Sequence, residues 1–122
     1  MKFSEIRIEI TEAAARQIPR YASIPSSLMT ALYEYVERGE APNSFLFAVL
    51  SNNLFDAVRL GRDSEVRCLI EIVNFIYHHV PHICYRIADK PAAEAITRWV
   101  RWHESGEEQI DFEPPLTAQT VG

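Results

Sequence analysis

Residues 24–85 read IPSSLMTALYEYVERGEAPNSFLFAVLSNNLFDAVRLGRDSEVRCLIEIVNFIYHHVPHICY. This stretch decides the fold. Leu28, Leu32, Tyr35 and Val36 recur at helical spacing, with Met29 and Tyr33 beside them and Glu34, Glu37 and Arg38 mainly opposite. Pro25-Ser26 opens this helix. Gly39 closes it, because glycine enters the left-handed region freely, and Pro42 follows. Asn43 or Ser44 can cap the next helix, whose stripe is Phe45, Leu46, Val49 and Leu50. Ser51-Asn52-Asn53 then interrupts the pattern, and Leu54, Phe55, Val58 and Leu60 resume it before Gly61. Serine and asparagine compete for backbone hydrogen bonds, so the helix either bends here or breaks in two.

Asp63 or Ser64 caps a further helix from about Glu65 to Val80. Val66, Leu69, Ile70, Val73, Ile76, Tyr77 and Val80 form one broad face, which Ile72 and Phe75 extend. Only Arg67, Glu71, Asn74 and His78 make a polar line. A helix apolar over most of its circumference is expected at the centre of a bundle.

Outside this stretch the signals are shorter. Ile6, Ile8 and Ile10 alternate with Glu5, Arg7 and Glu9, which predicts a strand with one buried face. Ile110 and Phe112 alternate around Asp111 near the other end. The two segments are expected to form a small two-stranded β element, within the chain or with a second copy. Thr11 caps a short helix to Gln17, ended by Pro19, and Pro91 starts a last helix that runs to about His103 before Gly106. The prediction is mainly α: a compact bundle of about five helices with a small two-stranded β element from the N- and C-terminal segments. Residues 1–113 are expected to form a single helical domain and 114–122 a disordered tail.

Composition narrows the function. An apolar share of 48% marks a folded chain. Seventeen acids against twelve bases give a charge of −5, which argues against direct nucleic-acid binding, since that needs a basic surface. Two cysteines make no disulfide framework, no signal peptide is visible, and no apolar run is long enough to span a membrane. A cytoplasmic location is expected, with both thiols free. Five Tyr, six Phe and two Trp are generous for 122 residues and suggest an interface, and the expected assembly is a homodimer.

Four constellations carry candidate chemistry. His78, His79, His82 and Cys84 are zinc-ligand types within seven residues, but Pro81 stands between His78 and His82. The plainer reading is a helix end where imidazoles meet the carbonyl pole. Cys68 or Cys84 with a nearby histidine would make a nucleophile, and a core thiol is the plainer reading. Asn52, Asn53 and Asn74, with Ser51 and His78, could read a polar ligand; the plainer reading is a helix break and a solvated stripe. Arg86, Arg98, Trp99, Arg101 and Trp102 have the makeup of an interface hot spot, or of a helix with core tryptophans and solvated arginines. No catalytic motif and no phosphate loop is present in the sequence, and no cofactor is expected.

Three segments carry a resemblance. YVERG at 35–39, PNSFLFAVLSNNL at 42–54 and FIYHHVPHICY at 75–85 resemble a group of short proteins from bacteriophages and prophages. Members often have Gly after the Pro, an acid after the first Asn and Trp after the Cys, where this chain has Asn43, Asn53 and Tyr85. The resemblance implies a genomic context and no catalytic residues. The expected function is that of a non-enzymatic phage-type binding protein. It would modulate a host system, a defence system first among them, by occluding a protein surface with Arg98, Arg101, Tyr85, Tyr77 and His78. The alternative from another class is a sponge that holds a nucleotide-type signal with Asn52, Asn53, Asn74 and Arg86. A second alternative is a small zinc-binding protein using the His/Cys cluster.

Overall fold

A computed structural model describes residues 5–106. Seven α-helices follow one another among the described residues: α1 (Glu12–Arg16), α2 (Ser26–Arg38), α3 (Ser44–Leu50), α4 (Leu54–Leu60), α5 (Asp63–Arg67), α6 (Leu69–His79) and α7 (Ala92–Ser105). Short 3-10 turns at Pro19–Tyr21 and His82–Cys84 flank α2 and α6 respectively. The chain is mainly helical, as the periodicity required. No strand occurs among the described residues.

Local chemistry sets the helix ends. The Thr11 hydroxyl accepts from the Ala14 N–H at 3.1 Å and starts α1. Asn43 caps α3 by accepting from the Leu46 N–H at 2.8 Å. At Ser51–Asn53 the helix breaks rather than bends. Asn52 turns the chain with φ 62°, and the Asn53 side chain then caps α4, accepting from the Asp56 N–H at 3.1 Å. Neither Asp63 nor Ser64 caps the following helix. Its N-cap is Arg62, whose N–H donates to the Glu65 carboxylate at 2.8 Å, and this contact lets Glu65 be buried. The single helix expected over 65–80 is two, α5 and α6. Cys68 between them has φ −101° and ψ 19°, and both its N–H and its thiol donate to the Glu65 carbonyl.

The core gathers Leu28, Leu32, Tyr35 and Val36 of α2, Phe45, Leu46 and Leu50 of α3, Ile72, Phe75 and Ile76 of α6, and Ile96 and Trp99 of α7. Trp99 is wholly buried, and its indole N–H donates to the Tyr35 carbonyl at 3.0 Å, in the last turn of α2. The Tyr35 hydroxyl donates in turn to the Cys84 carbonyl. These two bonds tie α2 to α7 and to the turn after α6.

The expected N-terminal strand is not seen among the described residues. Ile6 and Ile8 are buried while Glu5, Arg7 and Glu9 are exposed, so the alternation does sort the side chains. The segment does so by lying on helices, with no ladder partner among the described residues, and Tyr33 donates to the Ile10 carbonyl at 2.8 Å. The second expected strand, at Ile110 to Phe112, and the tail at 114–122 lie outside the described residues. The described residues share one hydrophobic core cluster.

Candidate protein-binding face

α6 carries the broadest apolar face of the sequence, and the core uses only part of it. Ile72, Phe75 and Ile76 are buried. On the opposite side Ile70, Val73 and Tyr77 are exposed to 77%, 47% and 64%. Their spacing of three and four puts them in one row. The expectation that this helix lies at the centre of the bundle is therefore corrected: one face of it is left largely exposed. α4 differs more sharply. Leu54, Phe55, Val58 and Leu60, which resume the apolar pattern of the sequence, are all exposed, and Ala57 alone of its apolar residues is buried.

The α6 row continues past the helix end. Pro81 stops α6, and the His82–Cys84 turn folds back so that the His82 ring lies 6.3 Å from that of Tyr77. Tyr77 also meets His78 edge-on at 5.0 Å, and His82 meets Tyr85 edge-on at 5.6 Å. Burial, with the charge of Arg86 opposing it, pushes the half-buried Tyr85 hydroxyl up to about 12, so it is a neutral hydrogen-bond donor. Three expected residues, Tyr77, His78 and Tyr85, thus come together, and His82 joins them. Arg86 follows directly and is exposed. The arrangement can desolvate apolar and aromatic area against a partner, with imidazole and phenol groups to orient it.

Other expected residues fall elsewhere. Arg98 lies on α7, 3.5 Å from Glu94, with its guanidinium 5.8 Å from the Trp102 ring centre. Arg101 is exposed on the same helix. α7 packs against the His82–Cys84 turn, so the arginine-bearing helix borders the ring cluster.

Asn52 and Asn53 have become turn and cap. Asn74 is half-buried on α6, and its side-chain oxygen is buried without a hydrogen-bond partner. A cleft of about 360 Å3 between α3 and α4 is lined by Asn53 but by none of Asn52, Asn74 and Arg86. The four residues of the sponge reading do not line this cleft together.

The His/Cys cluster does not converge either. His79 turns inward between Tyr21 and Phe75, with Nδ1 2.9 Å from Glu9. Cys84 is buried, and burial pushes its thiol up. No group of three or more His, Cys, Asp or Glu side chains among the described residues could hold a metal. Burial likewise raises Cys68, so neither thiol presents an accessible thiolate. No described helix is long and apolar enough to cross a membrane.

Compared with protein families, curated proteins and solved structures, the chain matches none. The geometry of the site is therefore the basis for a functional reading. Sequence reasoning missed Ile70 and Val73, which it assigned to the core. The available signal was the excess itself: more apolar face on 65–80 than a five-helix domain has neighbours to cover.

Proposed function

We propose that the chain is a non-enzymatic binding protein that acts by covering a surface of a partner protein. The observation that carries this reading is the exposed row Ile70, Val73 and Tyr77, continued by the rings of His82 and Tyr85. A small domain leaves such a row open at a cost in solubility, and a partner's apolar surface removes that cost. The resemblance of residues 24–85 to short phage proteins supports a host protein as that partner, with a defence system as the setting. The contact is centred on α6 and the following turn, with Arg86 at its margin. Arg98 and Arg101 are assigned a supporting position.

The test is a plating assay with the chain expressed in a bacterial strain that carries an active defence system. The reading expects phage plating to rise with the wild-type chain and to return to background with Ile70→Asp and with Tyr77→Asp. Arg101→Ala is expected to retain most of the effect. Loss with Arg101→Ala and retention with both α6 variants would move the contact to α7 and refute the reading. The matching physical assay is affinity capture, in which a host protein held by the wild type is released by the α6 variants alone.

A further inference from the structure

Residues 6–10 cross the helices as a strap with few ties. Ile6 and Ile8 are buried in the core cluster. Glu9 meets His79 of α6, and the Ile10 carbonyl accepts from Tyr33 of α2. The Phe75 ring neighbours both side chains, 6.1 Å from the Tyr33 ring and 5.0 Å from that of His79. α2 and α6 thus border a groove that takes two alternate apolar side chains, one carboxylate and one carbonyl. No backbone N–H of residues 6–10 donates to another described backbone group. A segment held by side chains in this way detaches without breaking a ladder.

The sequence holds a second segment of the same pattern. Ile6-Arg7-Ile8-Glu9 is matched by Ile110-Asp111-Phe112-Glu113. In an extended chain each puts two apolar side chains on one face and a carboxylate next to them. The residue that follows is Ile10 in the first and Pro114 in the second. Proline lacks an N–H but keeps its carbonyl, and a carbonyl is what Tyr33 binds. Phe112 is larger than Ile8, whose place is 3% exposed, so overpacking favours residues 6–9 as the resident.

Chain length permits the exchange. α7 ends at Ser105, and His103 packs on Gly39 at the end of α2. Tyr33 lies six residues back along α2, about 9 Å away. Residues 107–112 span up to about 20 Å when extended, enough to pass along and around that helix.

We propose that two segments of this chain share the groove between α2 and α6. Residues 6–9 hold it at rest, and residues 110–113 compete for it and release the N-terminal strap. The exchange does not rest on the reading of the exposed α6 row, because Phe75 and His79 lie on the other side of that helix.

The experiment is limited trypsin digestion of the full chain. Cutting after Arg7 requires the strap to leave the groove, because Ile6 and Ile8 on either side are buried. Its rate therefore follows the detached population. It is read against a free peptide of residues 1–11, which carries the same bond. Residues 107–116 contain no Lys or Arg, so a peptide of that sequence survives the protease. At about 1 mM, the scale of a tethered segment, it is expected to speed cutting after Arg7 at least about threefold. Cutting after Arg38, inside the fold, should not change. The same peptide with Ile110→Asp and Phe112→Asp should have no effect. The full chain with those two substitutions loses its own competitor and should be cut after Arg7 at least about threefold more slowly than wild type. The peptide arm uses the wild-type chain, so it stands even where the substituted chain fails to fold. A peptide without effect, one that speeds every site alike, or a substituted peptide that acts equally well overturns the proposal. So does a substituted chain of wild-type circular dichroism that is cut after Arg7 as fast as wild type.

Discussion

Replacing Gly39 and Gly106 with alanine, one at a time, separates a backbone cost from a packing cost. Both glycines end a helix in the left-handed region, at φ 71° and 74°. An alanine there costs about 1–2 kcal/mol at either position. The surroundings differ. A Cβ on Gly39 would lie 2.2 Å from the Cβ of His103 and 2.4 Å from its Cγ, while a Cβ on Gly106 meets nothing within 4 Å. The His103 Cβ is fixed to the backbone of α7 and cannot swing aside, so the helix itself must shift. Overpacking of this kind costs about 1–3 kcal/mol. Gly39→Ala is therefore expected to destabilise the fold by about 2–5 kcal/mol and Gly106→Ala by about 1–2. At about 4 °C per kcal/mol for a domain of this size, the two melting temperatures should differ by roughly 4–12 °C. Urea denaturation followed by far-ultraviolet circular dichroism reads the same difference at constant slope. His103→Gly removes the contacting atoms, so it should recover the packing part in the Gly39→Ala background but not in that of Gly106→Ala. Equal losses in the two single variants would show that α7 does not press on the end of α2, and the reasoning would fail.

Three further outcomes follow from the same structure. Ile72→Ala should cost about 2–5 kcal/mol, whereas Ile70→Ala on the same helix should stay within about 0.5, because Ile72 is fully buried and Ile70 is 77% exposed; equal losses in urea denaturation would place Ile70 in the core. Asn43→Ala removes the cap of α3 and should cost about 1 kcal/mol, with Asn43→Asp close to wild type in thermal melts, since either side chain accepts from the Leu46 N–H. Burial holds His103 below the usual imidazole value of 6.5, against a hydrogen bond from its ring to the Val36 backbone. The folded state thus prefers the neutral ring, so this contribution to stability is complete above pH 6.5 and is lost as pH falls through the lower folded value. The melting temperature should drop as pH falls from 6.5 towards the folded value, and the drop should be smaller in His103→Gln; an unchanged profile would remove His103 as its source.

The sequence by itself determined what is local. Thr11 as a cap, a cap at Asn43 or Ser44, Gly39 and Gly106 as helix ends and the stop of α6 before Pro81 all follow from side-chain and backbone chemistry within a few residues. For the same reason Ser51-Asn52-Asn53 announced an interruption, though whether it bent or broke the helix depended on how α3 and α4 pack. The alternation of Ile6 and Ile8 told which side chains turn inward, but alternation is equally the mark of a strand and of an extended segment lying on helices. Only the tertiary structure decided which apolar faces found neighbours. Leu54, Phe55, Val58 and Leu60 read like the core stripe of α3, yet the left-handed turn at Asn52 resets the phase of α4, and they point outward. Ile70 and Val73 are as apolar as Ile72 and Ile76, and hydrophobicity alone cannot rank them. The ring cluster of Tyr77, His82 and Tyr85 likewise required the chain to fold back after Pro81. Periodicity identifies the faces that shun water. Which of them the domain covers, and which it leaves for another molecule, depends on contacts between residues far apart in the chain.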